Sequence, residues 1–272
     1  MLKKLYRHEF HALFRSLWPL YAGLLVLALL SRLMDMSFFD RSQMVVQILY
    51  SSFMSLYVLG IIAMLIISFA VVIVRFYRHL LTSEGYLSFT LPFTAGQHIT
   101  CKLVCGVVAG LVSFVFTVLS LLILSLGTSF MDWEGFFTSI WWFLQSIPAW
   151  QAILLVVEMV LLIPMALCQS LSMFYVSMAI GQQCKNRVGG AVLAYLAIEA
   201  ALQILAFAVI MPLSAQVTPL IHWLSRLTGS EAALIGLSTA LGISLILSTV
   251  YYFVTRHLLT HKLNLESKPL VN

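Results

Sequence analysis

From Ser42 to Val74 the chain runs for 33 residues without a charged side chain. As a helix that stretch is about 50 Å long, well past the roughly 30 Å hydrocarbon core of a bilayer. Other uncharged runs extend from Ser16 to Ser31, Leu103 to Met131, Gly135 to Val157, Val188 to Ile198 and Ala232 to Thr255, and two of them resume beyond a lone Glu158 or Glu199. Inside lipid every backbone N–H and C=O must be satisfied within the spanning segment, so helices are the form that such runs dictate. Composition agrees: 61% of residues are hydrophobic and 9% charged, against about 45–50% and 25% in a soluble domain. The fold class is therefore all-α, a polytopic membrane protein in which residues 1–272 form a single transmembrane domain.

Six spans is the natural count. The region after Gly135 is long enough for two crossings, but Gln145-Ser146-Ile147-Pro148 interrupts it and a seventh span would put the basic tail on the wrong side. We read Trp133 to Leu144 as an interfacial helix and place the fourth span from about Ala149 to Ile180. Cytoplasmic loops collect Lys and Arg, and with both termini inside, twelve basic residues fall in the cytoplasm (Lys3, Lys4, Arg7, Arg15, Arg75, Arg78, Lys102, Lys185, Arg187, Arg256, Lys262 and Lys268) and three outside (Arg32, Arg41 and Arg226). The net charge of +5 thus reflects topology and contact with anionic lipid; nucleic acid is not needed to explain it. A secretory signal peptide is a poor reading of the first run, because Ser31-Arg32-Leu33 is not a small-residue cleavage site and more membrane follows. Cys101, Cys105, Cys168 and Cys184 fall in spans or on the reducing side, with no zinc-like spacing.

Residues 1 to 17 place Leu2, Leu5, Tyr6, Phe10, Leu13, Phe14 and Leu17 on one helical face and Lys3, Lys4, Arg7, His8, His11 and Arg15 opposite. The pattern predicts an N-terminal amphipathic in-plane helix over 1–16, as an anchor or as a contact for a cytoplasmic partner. The long second span must tilt or project, and projection delivers Arg75, Phe76, Tyr77, Arg78 and His79 as a stalk into a polar island, residues 75–102. Pro92 ends any helix there, and Thr94-Ala95-Gly96-Gln97 has the capping-box form that starts the third span. Gly106 and Gly110 are a small-xxx-small pair, and Pro164 predicts a kink in the fourth span. Val217 to Leu227 is a second short external amphipathic segment, and 256–272 is a cytoplasmic tail.

Chemistry of the soluble kind is missing from the sequence. It has no phosphate-binding Gly-x-x-x-x-Gly-Lys-Ser/Thr loop, no His-Glu-x-x-His helix and no Gly-x-Ser-x-Gly elbow. His8 with His11 and His257 with His261 have spacings that a metal can share, though solvated polar faces explain them better. Glu158 and Glu199 are the two charges placed inside spans, and an intramembrane acid is by default a functional candidate. They are read as lining a substrate path or, equally, as carboxyls hydrogen-bonded to a neighbouring helix.

Between the second and third spans, Arg75-Phe76-Tyr77-Arg78, then Glu84-Gly85-Tyr86-Leu87-Ser88-Phe89-Thr90-Leu91-Pro92, then Lys102 resemble the corresponding loop of small bacterial ABC exporter permeases of the type-2 class. The loop carries the match; the rest of the chain matches by topology alone. This resemblance implies a cytoplasmic coupling helix, roughly Leu80 to Thr90, docking through Glu84, Gly85, Tyr86, Leu87, Phe89, Thr90, Leu91 and Pro92 into a separate ABC ATPase subunit. It implies a dimer with a second permease subunit, identical or a sister chain, in the bacterial plasma membrane. ATP and Mg would belong to the partner, leaving no cofactor in this chain and no enzymatic step of its own. Gly181 to Gly190, with Lys185 and Arg187, is a candidate minor contact. The competing readings are a non-transporting scaffold or sensor that recruits a cytoplasmic partner through the same loop, and an intramembrane hydrolase using Glu158 or Glu199, for which no His or Asp shares the membrane.

Overall fold

The computed structural model describes residues 2–35, 44–82, 94–126, 133–215 and 228–261. Among these the chain is helical throughout: α1 Leu2–Asp35, α2 Met44–Leu81, α3 Ala95–Ser125, α4 Trp133–Gln145, α5 Ala149–Gly181, α6 Arg187–Ala215 and α7 Gly229–His261. Six of them, all but α4, are long and apolar enough to cross a membrane.

The helix starts follow local chemistry. At α3 the Thr94 amide donates to Gln97 Oε1 at 3.0 Å and the Gln97 amide donates back to Thr94 Oγ1 at 3.3 Å, the reciprocal capping box that the sequence predicts. The same device opens α7, where the Thr228 amide donates to Glu231 Oε2 at 2.9 Å and the Glu231 amide to Thr228 Oγ1 at 3.4 Å. Sequence reading passed over this second box. Asn186 caps α6 through Oδ1, which accepts from the Gly189 amide at 3.2 Å. Replacing Thr94 or Thr228 by alanine is expected to cost about 1 kcal/mol at that helix end, read as faster amide exchange confined to the first turn.

The predicted break also stands. α4 ends at Gln145, and Pro148, extended at φ −54° and ψ 138°, precedes the start of α5 at Ala149. α4 buries none of its side chains; Trp141, Trp142 and Phe143 are exposed. Helix α5 continues through Pro164 to Gly181.

At the N-terminus the amphipathic stretch is continuous with the first long apolar helix. The amphipathic stretch expected as a separate in-plane helix is the first half of α1, which runs unbroken from Leu2 to Asp35 with Pro19 inside it. Its buried stripe explains why: Glu9, Leu13, Leu17, Tyr21, Leu24, Ala28 and Ser31 follow one another at three- or four-residue steps across the supposed junction, so one face serves both halves. The segment 217–227, read as an external helix, the island residues 83–93 and the tail from 262 lie outside the described residues.

Contacts group the chain into two compact units, residues 1–75 with 104–139 and residues 76–103 with 140–272. In the first, α1 lies antiparallel to α2, through Glu9–Arg75 and Ser31–Phe53, and parallel to α3, through Tyr6–Cys105 and Tyr21–Ser113. Buried hydroxyl pairs join the helices: Tyr21 with Ser113 at 2.9 Å and Tyr57 with Ser120 at 3.0 Å. Phe116 stacks on Tyr21 at 4.5 Å between centroids. Lipid tails are as apolar as leucine, so such close packing and interhelical hydrogen bonds hold membrane helices together. Arg75 Nε donates to Glu9 Oε1 at 3.4 Å, pairing a buried acid with the stalk.

In the second unit α5 packs on both α6 and α7. α5 and α7 run parallel, with Gln151 Oε1 accepting from Ser230 at 2.9 Å near one end and Gln169 Oε1 from Ser244 at 2.6 Å further along. α6 runs antiparallel to α5 after a tight turn, and Phe174 stacks on Tyr195 at 4.6 Å. Met173, Val176 and Tyr251 form a core to which Ile198 and Leu202 of α6 contribute.

Candidate functional site at the foot of the second and third spans

Glu84, Gly85, Tyr86, Leu87, Phe89, Thr90, Leu91 and Pro92, the residues that the sequence singles out for docking, lie outside the described residues. Their supports do not. The last turn and a half of α2 buries Phe76, Leu80 and Leu81, each 1% exposed or less, and the first turns of α3 bury His98, Ile99, Cys101 and Lys102. A solvated stalk would leave these side chains in water, so the helix ends that carry the island are set into protein.

What holds them is the end of α5. The Phe76 ring lies flat on Tyr175, with centroids 3.8 Å apart and planes 7° from parallel. Tyr175 reaches the other leg as well, its hydroxyl donating to the Lys102 carbonyl at 3.4 Å. Gln182, one residue past α5 and buried, donates through Nε2 to the Leu81 carbonyl at 2.6 Å. That carbonyl belongs to the last turn of α2 and has no partner within its own helix, so the amide supplies a missing bond at the point where the chain leaves the helix. α7 adds a further hold on α3: Tyr252 shares a hydrogen bond with Thr100 at 3.2 Å and donates to the Gly96 carbonyl at 3.4 Å.

The turn between α5 and α6 is built into the same place. Gln182 to Cys184 continue α5 by single turns, and Gln183, Cys184, Lys185 and Asn186 are exposed. Its glycines are required by close approach: a Cβ on Gly181 would stand 2.4 Å from the Ala191 amide nitrogen, and one on Gly190 would stand 2.5 Å from Cys184 Cβ. Thus α5 and α6 meet backbone to backbone beside the feet of α2 and α3. Sequence reading offered this loop as a minor contact; it missed Gln182 and Tyr175, whose only signal was polarity inside an apolar run.

The two intramembrane acids are not brought together by any hydrogen bond among the described residues. Glu158 of α5 accepts a hydrogen bond at Oε1 from Ser238 of α7, the neighbouring-helix partner that one of the two readings expects. Glu199 of α6 accepts at Oε1 from Gln203 Nε2 at 3.4 Å, one turn along its own helix, and Gln203 is exposed. His257 and His261 stack at 4.7 Å, and His261 Nδ1 bonds Thr260 Oγ1 at 2.8 Å. Among the described residues no group of three His, Cys, Asp or Glu is placed to hold a metal ion.

No protein-family model, curated protein or solved structure matches the chain. The class that the architecture supports is a multi-pass helical membrane protein with six long apolar helices.

Proposed function

We propose that this chain is the membrane-spanning permease subunit of an ATP-driven ABC exporter of the type-2 class, docking a separate ATPase through Glu84 to Pro92. The observation that carries the reading is the island's sequence in its place between the second and third of six apolar helices. Its favourable chemistry is plain: Tyr86, Leu87, Phe89 and Leu91 are apolar side chains in a polar break, and Glu84 offers a charge to a basic groove. The way Tyr175 and Gln182 grip both legs of the island supports it further, because a docking element that transmits force needs rigid roots. In this reading the protein sits in the bacterial plasma membrane with both termini cytoplasmic and pairs with a second permease subunit. Glu158 and Glu199 then line the route of an exported peptide, lipid or drug.

Co-purification tests the docking assignment. With Tyr86→Ala and Leu87→Ala combined, recovery of ATP-hydrolysing partner from solubilised membranes is expected to fall about thirtyfold, as when an interface loses anchors worth about 2 kcal/mol. Full recovery of the ATPase with this variant would remove the docking role. Recovery of an ATPase by the native chain without ATP-dependent uptake into inverted vesicles would favour the scaffold reading instead.

A further inference from the structure

Along the parallel pair α5 and α7, polar contacts recur about every seven residues. Gln151 meets Ser230, Glu158 meets Ser238, and the Met165 carbonyl and Gln169 meet Ser244. One more step along each helix leads to Ser172 on α5 and to Tyr251 on α7, which also lies near Glu199 of α6. Seven residues is about two helical turns, so these positions form one stripe on each helix.

The stripe is closed at its ends and open in the middle. Gln151 and Leu155 are buried on α5 and then nothing until Leu171, while on α7 Ser230 and Leu234 are buried and then nothing until Ser244. A Cβ built on Gly236 or Gly242, either side of Ser238, meets no atom within 4 Å. Glu158 lies on this open stretch, and its Oε2 is buried without a hydrogen-bond partner. Fourteen residues on, about 21 Å along the helix, two more groups are in the same condition. Ser172 Oγ and the Tyr251 hydroxyl, on residues 3% and 7% exposed, have no hydrogen-bond partner among the described residues. Cys168 stands beside both Ser172 and Ser248, but a thiol is a weak partner and leaves the serine oxygen unsatisfied.

A buried polar group without a partner costs about 1–3 kcal/mol, and three on one stripe call for a common cause. Ordered water is the usual partner of such groups where the site is polar and the side chains are short. The stripe offers hydroxyls, amide oxygens, one thiol and one carboxyl, a donor and acceptor set suited to water and holding no cation. We propose that α5 and α7 bind a chain of ordered water molecules along this seam, from Glu158 to Ser172, so that the Glu158 carboxyl is in contact with water inside the membrane. The inference stands apart from the docking assignment and from the identity of any soluble partner.

Hydroxyl radicals generated from bound water by X-ray pulses test it on the full chain in lipid nanodiscs. Met165 and Cys168, on the seam, are expected to oxidise at rates of the same order as the exposed Cys184, whereas Met159, on the apolar outer face of α5, stays unmodified. Met165 and Cys168 as unreactive as Met159 would overturn the proposal and make the seam a dry packing surface. Ser172→Val is expected to displace the water there and abolish Cys168 oxidation while sparing that of Cys184; undiminished Cys168 oxidation would also overturn it. Should that variant fail to fold, the native comparison of Met165 and Cys168 with Met159 decides by itself.

Discussion

Gly181→Ala is expected to destabilise the protein by about 3 kcal/mol, near the top of the range for overpacked sites. The added methyl would stand 2.4 Å from the Ala191 nitrogen, 2.6 Å from its Cα and 2.8 Å from its Cβ. Two of those three atoms are backbone of the facing helix, so no rotamer change relieves the contact; α5 and α6 must separate. Gly23→Ala is the matched control, because nothing lies within 4 Å of a Cβ there, and it is expected to be neutral or slightly stabilising, alanine being the better helix former. Unfolding in mixed micelles followed by circular dichroism measures both. Equal midpoints for the two variants would show that the α5–α6 turn is looser than this geometry.

Phe76→Ala is expected to cost about 3 kcal/mol, at the low end for deleting a buried aromatic ring. Phe76 is fully buried, and its ring stacks on Tyr175 of α5 with centroids 3.8 Å apart. Lipid provides no compensating release of apolar surface, so the loss is one of packing. Tyr175→Phe keeps the ring and removes the hydroxyl that donates to the Lys102 carbonyl at 3.4 Å, and about 0.6 kcal/mol is expected for an interhelical hydrogen bond of this kind. The pair of variants separates the stack from the hydroxyl. A loss from Tyr175→Phe as large as from Phe76→Ala would assign the grip to the hydrogen bond instead.

Loosening the Phe76 stack frees the end of α2 from α5, and in the exporter reading it should weaken coupling while leaving the docking residues chemically intact. ATPase recovery retained with transport lost is the result expected of Phe76→Ala in a variant still folded at the assay temperature.

The capping box at Thr94 and Gln97 was legible because it is a local pattern, four residues whose hydrogen bonds close on themselves. The break at Pro148 was legible for the same reason. The box at Thr228 and Glu231 carries the same local signature, with the two side chains three residues apart. At the N-terminus amphipathy over 1–16 is a local property, and the continuity of the buried stripe from Glu9 to Ser31 through Pro19 is a tertiary one. A proline removes one backbone bond and does not by itself end a helix with tertiary contacts on both sides of it.

Glu9 with Arg75, Tyr21 with Ser113, and Gln182 with Leu81 were not legible. Each joins residues far apart in sequence, and none can be foreseen without knowing which helices are neighbours and in what register. Gln151, Glu158 and Gln169 on α5 and Ser230, Ser238 and Ser244 on α7 were present in the letters, but two such rows acquire meaning only when they face each other.

By itself the sequence determined the number of long apolar helices, most of their limits and the position of the polar island, because hydropathy over some 20 residues and capping over four are short-range properties of a chain in lipid. Only the tertiary structure decided that the island's two legs are gripped by Tyr175 and Gln182, that Glu158 meets Ser238, and that α1 is one helix. Those outcomes depend on which apolar face meets which, and in a membrane nearly every face is apolar, so small residues and scattered hydroxyls make the choice.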